Sequence, residues 1–412
     1  MNRDKNIGLS TSLTLKNGMR IKNRLFKSAM SEQLGDNFHN PTPGLFRLYE
    51  TWAKGGIGLS VTGNVMVDRT ALGEPKNVVL DEKSHLSLFE QWAEAGKKND
   101  TQLWIQLNHP GKQTPKFLTR EPVAPSAIPL GSGLEKTFNT PRELTESEIQ
   151  CIIEKFATSA GLARRAGFSG VQIHGAHGYL VSQFLSPHHN QRTDRWGGSL
   201  ENRMRFVLEV YRAIRKTVSD DFPVGIKLNS ADFMKSGFSQ EESIEVVKML
   251  QKEGIDLIEI SGGTYESPSM TGYKIKESTL KREAYFLEYA EQVKKEIDLP
   301  FVVTGGFRSG SAMLAALKSG ATDMIGLARP LAVEPEFPNR LMENNAYASD
   351  LKDPTTGFPS VDRMSMISIL WYEFQLEKMA KGEYPDPDLN AWSVVFKTFG
   401  RMGLHAFLKR RA

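Results

Sequence analysis

Two histidines and a tyrosine fall within six residues in the segment Val171-Gln172-Ile173-His174-Gly175-Ala176-His177-Gly178-Tyr179-Leu180. Neutral imidazoles offer N–H donors to a carbonyl oxygen and stabilise charge that builds on it. A phenol, with an ordinary pKa of about 10, stays protonated at neutral pH and can serve as a general acid. His174, His177 and Tyr179 are therefore the candidate catalytic and substrate-binding residues. The same spacing also permits a metal pair, with His109, His188 or His189 as a third ligand. Gly175 and Gly178 mark the segment as a turn, and functional groups gather on loops.

A second constellation ends two other apolar runs. Phe301–Thr304 is followed by Gly305, Gly306 and Arg308, and Met324–Leu327 by Ala328 and Arg329. Backbone N–H groups and a guanidinium placed together suit a phosphate. The competing reading is that the glycine pair serves only a tight turn. Three more polar residues stand in or after apolar runs: Gln106, which both donates and accepts; Lys227, a cation among apolar neighbours; and Ser31, after Ser28-Ala29-Met30. A buried lysine is scarce without an anion to pair it. The set comprises a phosphate cradle, an amide reader, a cation, oxyanion donors and an acid. It describes a phosphorylated heterocycle facing a carbonyl substrate.

These residues need a scaffold that gathers strand ends. Short apolar runs recur at Arg24–Met30, Ile57–Val65, Gln102–Leu107, Gly170–His174, Pro223–Asn229, Leu257–Ser261, Phe301–Thr304 and Met324–Leu327. Helix-period segments alternate with them: Ser84–Lys98, Thr145–Ala166, Leu200–Val218, Ser239–Lys252, Arg282–Ile297 and Ser309–Lys318. Thr145-Glu146-Ser147-Glu148 is a capping signal, and Gly167, Gly254 and Gly320 close helices. Eight strands alternating with helices predict an α/β fold, a (β/α)8 TIM barrel whose C-terminal face carries the chemistry. The rival, an open doubly wound sheet, lacks its G-x-G-x-x-G after the first strand. Residues 108–144, rich in Pro, Gly, Ser and Thr, form an insertion after strand three, placed to be a lid or substrate wall. The expected organisation is a single domain over 1–412, with the barrel over about 13–335 and a C-terminal helical extension over about 336–412. The stretch Trp392–Arg410 reads as a basic amphipathic helix, packed on its own barrel or on a second subunit of a homo-oligomer. A membrane-surface anchor is the alternative for it.

Composition narrows the classes further. One cysteine among 412 residues excludes a disulfide framework and a cluster held by this chain's own thiolates. With 52 Lys+Arg against 48 Asp+Glu, there is no nucleic-acid footprint. No run of about 18 apolar residues and no secretory core at the start predict a cytoplasmic protein without a membrane span.

The chain resembles the old yellow enzyme family of FMN-dependent oxidoreductases. The most specific stretch is His174–Asn190, continuing through Arg192-Thr193-Asp194-Arg195-Trp196-Gly197-Gly198 to Arg203. Supporting matches lie at Lys22–Met30, Gly55–Leu59, Gln106–Gly111, Ala124–Ile128, Thr304–Phe307 and Gly326–Pro330. The resemblance implies FMN across the barrel mouth, its phosphate on Gly305, Gly306, Ala328 and Arg329. Gln106 would read the pyrimidine edge and Lys227 would sit near N1 and O2. Ser28, Ala29, Met30, Ser31 and Gly63 would line the ring, with Ser31 near O4. It further implies ping-pong reduction of α,β-unsaturated carbonyl compounds by NADH or NADPH. His174 and His177 would hold the carbonyl oxygen and Tyr179 would protonate the α-carbon. Other outcomes kept open are an oxidative dehydrogenase or demethylase on the same flavin, a metal-dependent barrel lyase or hydrolase, and a non-catalytic flavin-binding protein. Ala29, Lys227 and Ala328 stand where proline, arginine and glycine are usual in the family.

Overall fold

The computed structural model describes residues 7–268, 283–284, 286–364 and 366–402. Eight parallel strands close on themselves: β1 (Leu25–Lys27), β2 (Leu59–Met66), β3 (Gln102–Asn108), β4 (Gly170–Gly175), β5 (Val224–Asn229), β6 (Leu257–Ser261), β7 (Phe301–Thr304) and β8 (Met324–Leu327). Each pairs with its sequence neighbour, and β8 returns to β1 through Ile325↔Leu25. This is the predicted (β/α)8 barrel. The first strand is shorter than the sequence suggests. Ser28–Met30 leave the ladder, Ser28 N–H bonding Leu327 O at 2.8 Å, and turn toward the mouth.

Period-two alternation sorts the strand residues into two apolar layers. Val171 and Ile173, Ile226 and Leu228, Ile258 and Ile260 join the large core beneath the helices. Phe26, Leu59, Val61, Trp104, Leu257, Val302 and Met324 fill the barrel interior, plugged by Leu15 and Ile21 of the N-terminal hairpin. Trp104 lies across that interior because two strands give way: a Cβ on Gly170 or Gly225 would lie 2.6 or 2.7 Å from its indole. Toward the C-terminal end the interior changes from apolar to polar, with Gln106, Gln172, Lys227, Glu259 and Thr304 all buried. That polar layer is the floor of the site.

The helices follow their sequence signals. Glu146–Arg165 begins with a complete capping box between Thr145 and Glu148 and buries Ile149, Ile152, Ile153, Phe156 and Ala160. Gly254 and Gly320 end their helices in the left-handed conformation. The stretch expected over Arg282–Ile297 forms a helix only over Leu287–Val293, and residues 282 and 285 lie outside the described residues. The C-terminal helix spans Ala391–Met402, and the remainder of the expected stretch, to Arg410, is outside them as well. Ala391 and Val394 join the main apolar core, and Trp392 Nε1 donates to Thr356 O at 3.1 Å, so this helix packs on its own chain. Among the described residues, no helix is long and apolar enough to cross a membrane.

Candidate active site

The β4 strand delivers His174 to the mouth, and the following turn redirects the chain. His177 and Gly178 take φ of 61° and 78°, so two successive left-handed residues fold Tyr179 back over the barrel. For a histidine that conformation costs roughly 1–2 kcal/mol, and its neighbours hold it in place. His177 N–H donates to Asn229 Oδ1 at 3.1 Å, and its Nε2 lies 2.7 Å from Ser261 Oγ. The ring centroids of His174 and His177 are 5.1 Å apart, and those of His174 and Tyr179 are 4.7 Å apart. The sequence-predicted triad is therefore assembled at one place.

His174 is buried, and burial together with the nearby Lys227 charge holds its pKa well below the usual imidazole value. It is neutral at pH 7. Its Nδ1 accepts the Ala176 N–H at 3.3 Å, so the ring proton sits on Nε2, a donor for an oxygen in the mouth. The Tyr179 hydroxyl lies 2.9 Å from the Tyr265 hydroxyl and accepts from Asn64 Nδ2 at 3.3 Å. Leu130, Leu134 and Phe138 of the insertion pack with these two tyrosines into a separate apolar cluster. The insertion thus roofs the acid, as a substrate wall would.

Beneath them the polar layer is one connected network. Gln106 Nε2 donates to Gln172 Oε1 at 2.7 Å, and Gln172 Nε2 donates to Glu259 Oε2 at 2.9 Å. Lys227 Nζ lies 3.0 Å from Glu259 Oε1, which also accepts from Thr304 Oγ1 at 2.8 Å. The anion that a buried Lys227 demands is thus Glu259, on the adjacent strand in direct register.

The residues present fit FMN. Gln106 Oε1 is buried and has no partner, an acceptor suited to the single N–H on the pyrimidine edge of a flavin. Gly305 and Gly306 take φ of 110° and 100°, which only glycine adopts without strain, at the end of β7 where barrels hold phosphate. At Gly63, beside an irregularity in the β2–β3 register, a Cβ would lie 2.5 Å from Met30 O and 2.9 Å from Glu32 Oε2. The two strand ends therefore approach more closely there than any side chain permits. Arg329 pairs with Asp353 at 3.2 Å and lies over the Tyr372 ring. Ser31 donates its hydroxyl to the Glu74 carboxylate at 2.7–2.8 Å, so toward a ring it presents lone pairs.

The metal alternative is corrected by the geometry. Among the described residues, the potential ligands that come together are His188, His189 and Glu266, and neither His174 nor His177 is among them. His109 Nδ1 accepts the Gly111 N–H at 3.1 Å in a separate buried position. At the His189 cluster, Lys112 Nζ donates to His189 Nδ1 at 2.8 Å, which sets a cation where a metal would bring another. The cluster instead fastens the roof: Lys112 Nζ bonds Ile128 O at 3.0 Å, and Glu266 accepts from Gly131 N at 2.7 Å.

These buried imidazoles carry a stability cost in acid. Burial pushes His109 down from 6.5 to about 4, and His174 and His189 well below their usual value. Stability is therefore complete above pH 6.5 and falls as the unfolded chain alone takes up protons below it. Each such histidine costs about 1.4 kcal/mol per pH unit, and three together about 4 kcal/mol. Urea midpoints should drop steeply from pH 6.5 to 5, less so in His109→Gln. A flat profile would contradict neutral burial.

Several residues of the site lie outside the sequence-predicted set. Tyr265 follows Gly262-Gly263-Thr264 after β6, a polar aromatic on a strand-end loop, which is the signal that would have found it. Glu259 could have been sought as the missing anion for Lys227. The Lys27–Glu32–Tyr49 group had no such clue. Lys27 is wholly buried, its pKa pushed down to about 8 mainly by burial, and Tyr49 donates to Glu32.

Comparison with known proteins agrees with this geometry. The family model described as the NADH:flavin oxidoreductase / NADH oxidase family matches residues 9–347. NADH-dependent flavin oxidoreductase iliE of Hypocrea jecorina (strain QM6a) is 38% identical over 378 residues, covering 86% of this chain and 93% of that protein. NADH-dependent flavin oxidoreductase iccE of Talaromyces variabilis is 36% identical, covering 90% and 98%. Among solved structures, 2-naphthoyl-CoA reductase superposes with a TM-score of 0.75 at 28% identity over 82% of this chain, which spans 52% of that one. Morphinone reductase superposes with a TM-score of 0.71 at 24% identity, over 84% of this chain and 92% of that one, a likeness of fold. With the match running through every barrel strand, this chain belongs to the NADH:flavin oxidoreductase / NADH oxidase family, the old yellow enzyme family, and is an FMN-dependent oxidoreductase.

Proposed function

We propose that the protein reduces the C=C bond of α,β-unsaturated carbonyl compounds with NADH or NADPH, the two reactants using one site in turn. The observation that carries this reading is the buried mouth where a neutral His174, with its proton on Nε2, stands 4.7 Å ring to ring from Tyr179. Donors for an oxygen and an acid for a carbon are adjacent there. Bound FMN supplies the capacity to accept a hydride from the nicotinamide and pass it to the substrate.

The chain's residues do the rest. His174 and His177 hold the carbonyl oxygen and stabilise its growing charge, which polarises the conjugated bond. Tyr179 gives a proton to the α-carbon, and the apolar roof of Leu130, Leu134 and Phe138 keeps water from competing. Gln106, Lys227, the stretch Ser28–Ser31 and Gly63 hold the flavin ring, with Gly305, Gly306, Ala328 and Arg329 at its phosphate. The apolar core shared by the barrel and the segments around Ile367–Ala380 and Val394 supports reading residues 1–412 as one domain.

An anaerobic titration followed by visible absorption tests the proposal. NADH or NADPH is expected to bleach the bound flavin, and an enone such as cyclohexenone to restore it in a second, separable step. Bleaching by an amine or alcohol without NAD(P)H, and no recovery with enone, would favour the oxidative dehydrogenase reading instead.

A further inference from the structure

Glu259 occupies the middle of β6 with no exposure to solvent. Its carboxylate accepts from Thr304 Oγ1 at 2.8 Å and Gln172 Nε2 at 2.9 Å, and pairs with Lys227 Nζ at 3.0 Å. Burying two charges costs several kcal/mol per ion before their attraction is counted. Such a pair is weak grounds for stability, so its role is better sought in what it orients.

A carboxylate that is ionised only accepts, and that polarity travels outward. Because Gln172 must turn its NH2 to Glu259, its carbonyl oxygen faces Gln106. Gln106 must then commit its own NH2 to Gln172, at 2.7 Å, and leave its Oε1 buried and unpaired. Reversing Gln172 would set its carbonyl against the carboxylate and its NH2 against that of Gln106, and reversing Gln106 would set one carbonyl oxygen against another. Through one intermediate, Glu259 thus decides that Gln106 offers an acceptor to its ligand. The second arm is similar. Thr304 gives its proton to Glu259, so in the 2.8 Å contact with Ser28 Oγ the serine is the donor. The third arm is charge, since the Lys227 cation is offset at 3.0 Å by a full negative charge.

Resting on the FMN reading above, we propose that Glu259 is the positioning residue of the flavin site. It fixes Gln106 as acceptor for the flavin N3–H, and it offsets the Lys227 charge so that the reduced flavin is not overstabilised. Glu259 touches neither substrate nor flavin and acts through Gln172 and Lys227.

The test uses the full chain with FMN and with 3-methyl-FMN, which lacks the N3–H. The wild type is expected to bind FMN far more tightly than the methylated analogue. Glu259→Gln should reduce that ratio at least tenfold. It should also shift the two-electron equilibrium at least tenfold toward reduced flavin, a rise of about 30 mV in midpoint potential. A merely damaged fold would weaken both flavins alike and leave the ratio unchanged. Gln172→Leu cuts only one arm, so it should reduce the ratio while leaving the potential in place, and it serves equally if Glu259→Gln does not fold. Ratio and potential both unchanged in Glu259→Gln, or an unchanged ratio in Gln172→Leu, would overturn the proposal while the FMN reading stands. A wild type with no affinity for FMN would overturn both.

Discussion

Replacing Tyr179 with phenylalanine is expected to slow reoxidation of the reduced enzyme by an enone by ~10²–10⁴-fold, the range for loss of a positioned general acid. Reduction by NAD(P)H should stay within about threefold, because hydride leaves the nicotinamide without any carbon being protonated. The ring itself is retained, so the cluster with Leu130, Leu134, Phe138 and Tyr265 keeps its packing. What is lost is a hydroxyl lying 2.9 Å from that of Tyr265 and bonded by Asn64 Nδ2. Leaving those partners short of a bond costs about 1–3 kcal/mol, which a barrel of this size withstands. Tyr265→Phe keeps the acid but strips its partner, and its oxidative rate should fall between the two. Rapid-mixing measurements of each half-reaction separate these outcomes. Equal losses in both half-reactions would remove Tyr179 from the role of proton donor.

The parts of this site whose grouping could be read in the sequence are contiguous ones, whereas Gln106, Lys227 and Ser31 could be picked out only singly. His174, His177 and Tyr179 share one turn, and Gly305 and Gly306 share another, so neighbours in the chain are neighbours in space. The barrel was legible for a related reason: each strand and helix carries its own period, and the capping box at Thr145 marks a boundary within four residues. What could not be read depends on register. Lys227 lies opposite both His174 and Glu259 only because β4, β5 and β6 align at that residue. Ser31 meets Glu74 from 43 residues away, and Tyr179 meets Tyr265 from 86. The overlong first strand has a physical cause too. Ala29 and Met30 have strand-like apolar character, yet the chain leaves the ladder at Ser28 and bends over the mouth. The metal alternative failed because, among the described residues, no third ligand joins these two histidines: His174 Nδ1 accepts from its own turn and His177 Nε2 lies against Ser261 Oγ.

His174→Leu is expected to lower the rate of enone reduction by ~10²–10³-fold, the usual loss for one oxyanion donor. The size of this loss depends on the protonation state that the structure imposes on His174. A charged imidazolium would bind an oxygen strongly before reaction as well as during it, which gains little in rate. Burial and the Lys227 charge keep His174 neutral, and the Ala176 N–H on Nδ1 leaves Nε2–H as its free donor. A neutral donor strengthens its bond most as charge develops on the oxygen, so it favours the transition state over the ground state. His174→Asn retains an N–H donor and should recover part of the loss. The enone rate of the wild type should not follow a histidine titration between pH 6 and 8, because this imidazole does not gain a proton there. The reductive half-reaction, in which no charge accumulates on a carbonyl oxygen, should stay within about tenfold in both variants. If leucine and asparagine proved equivalent, or if the rate rose and fell with a pKa near 6.5, a neutral His174 donor would be ruled out.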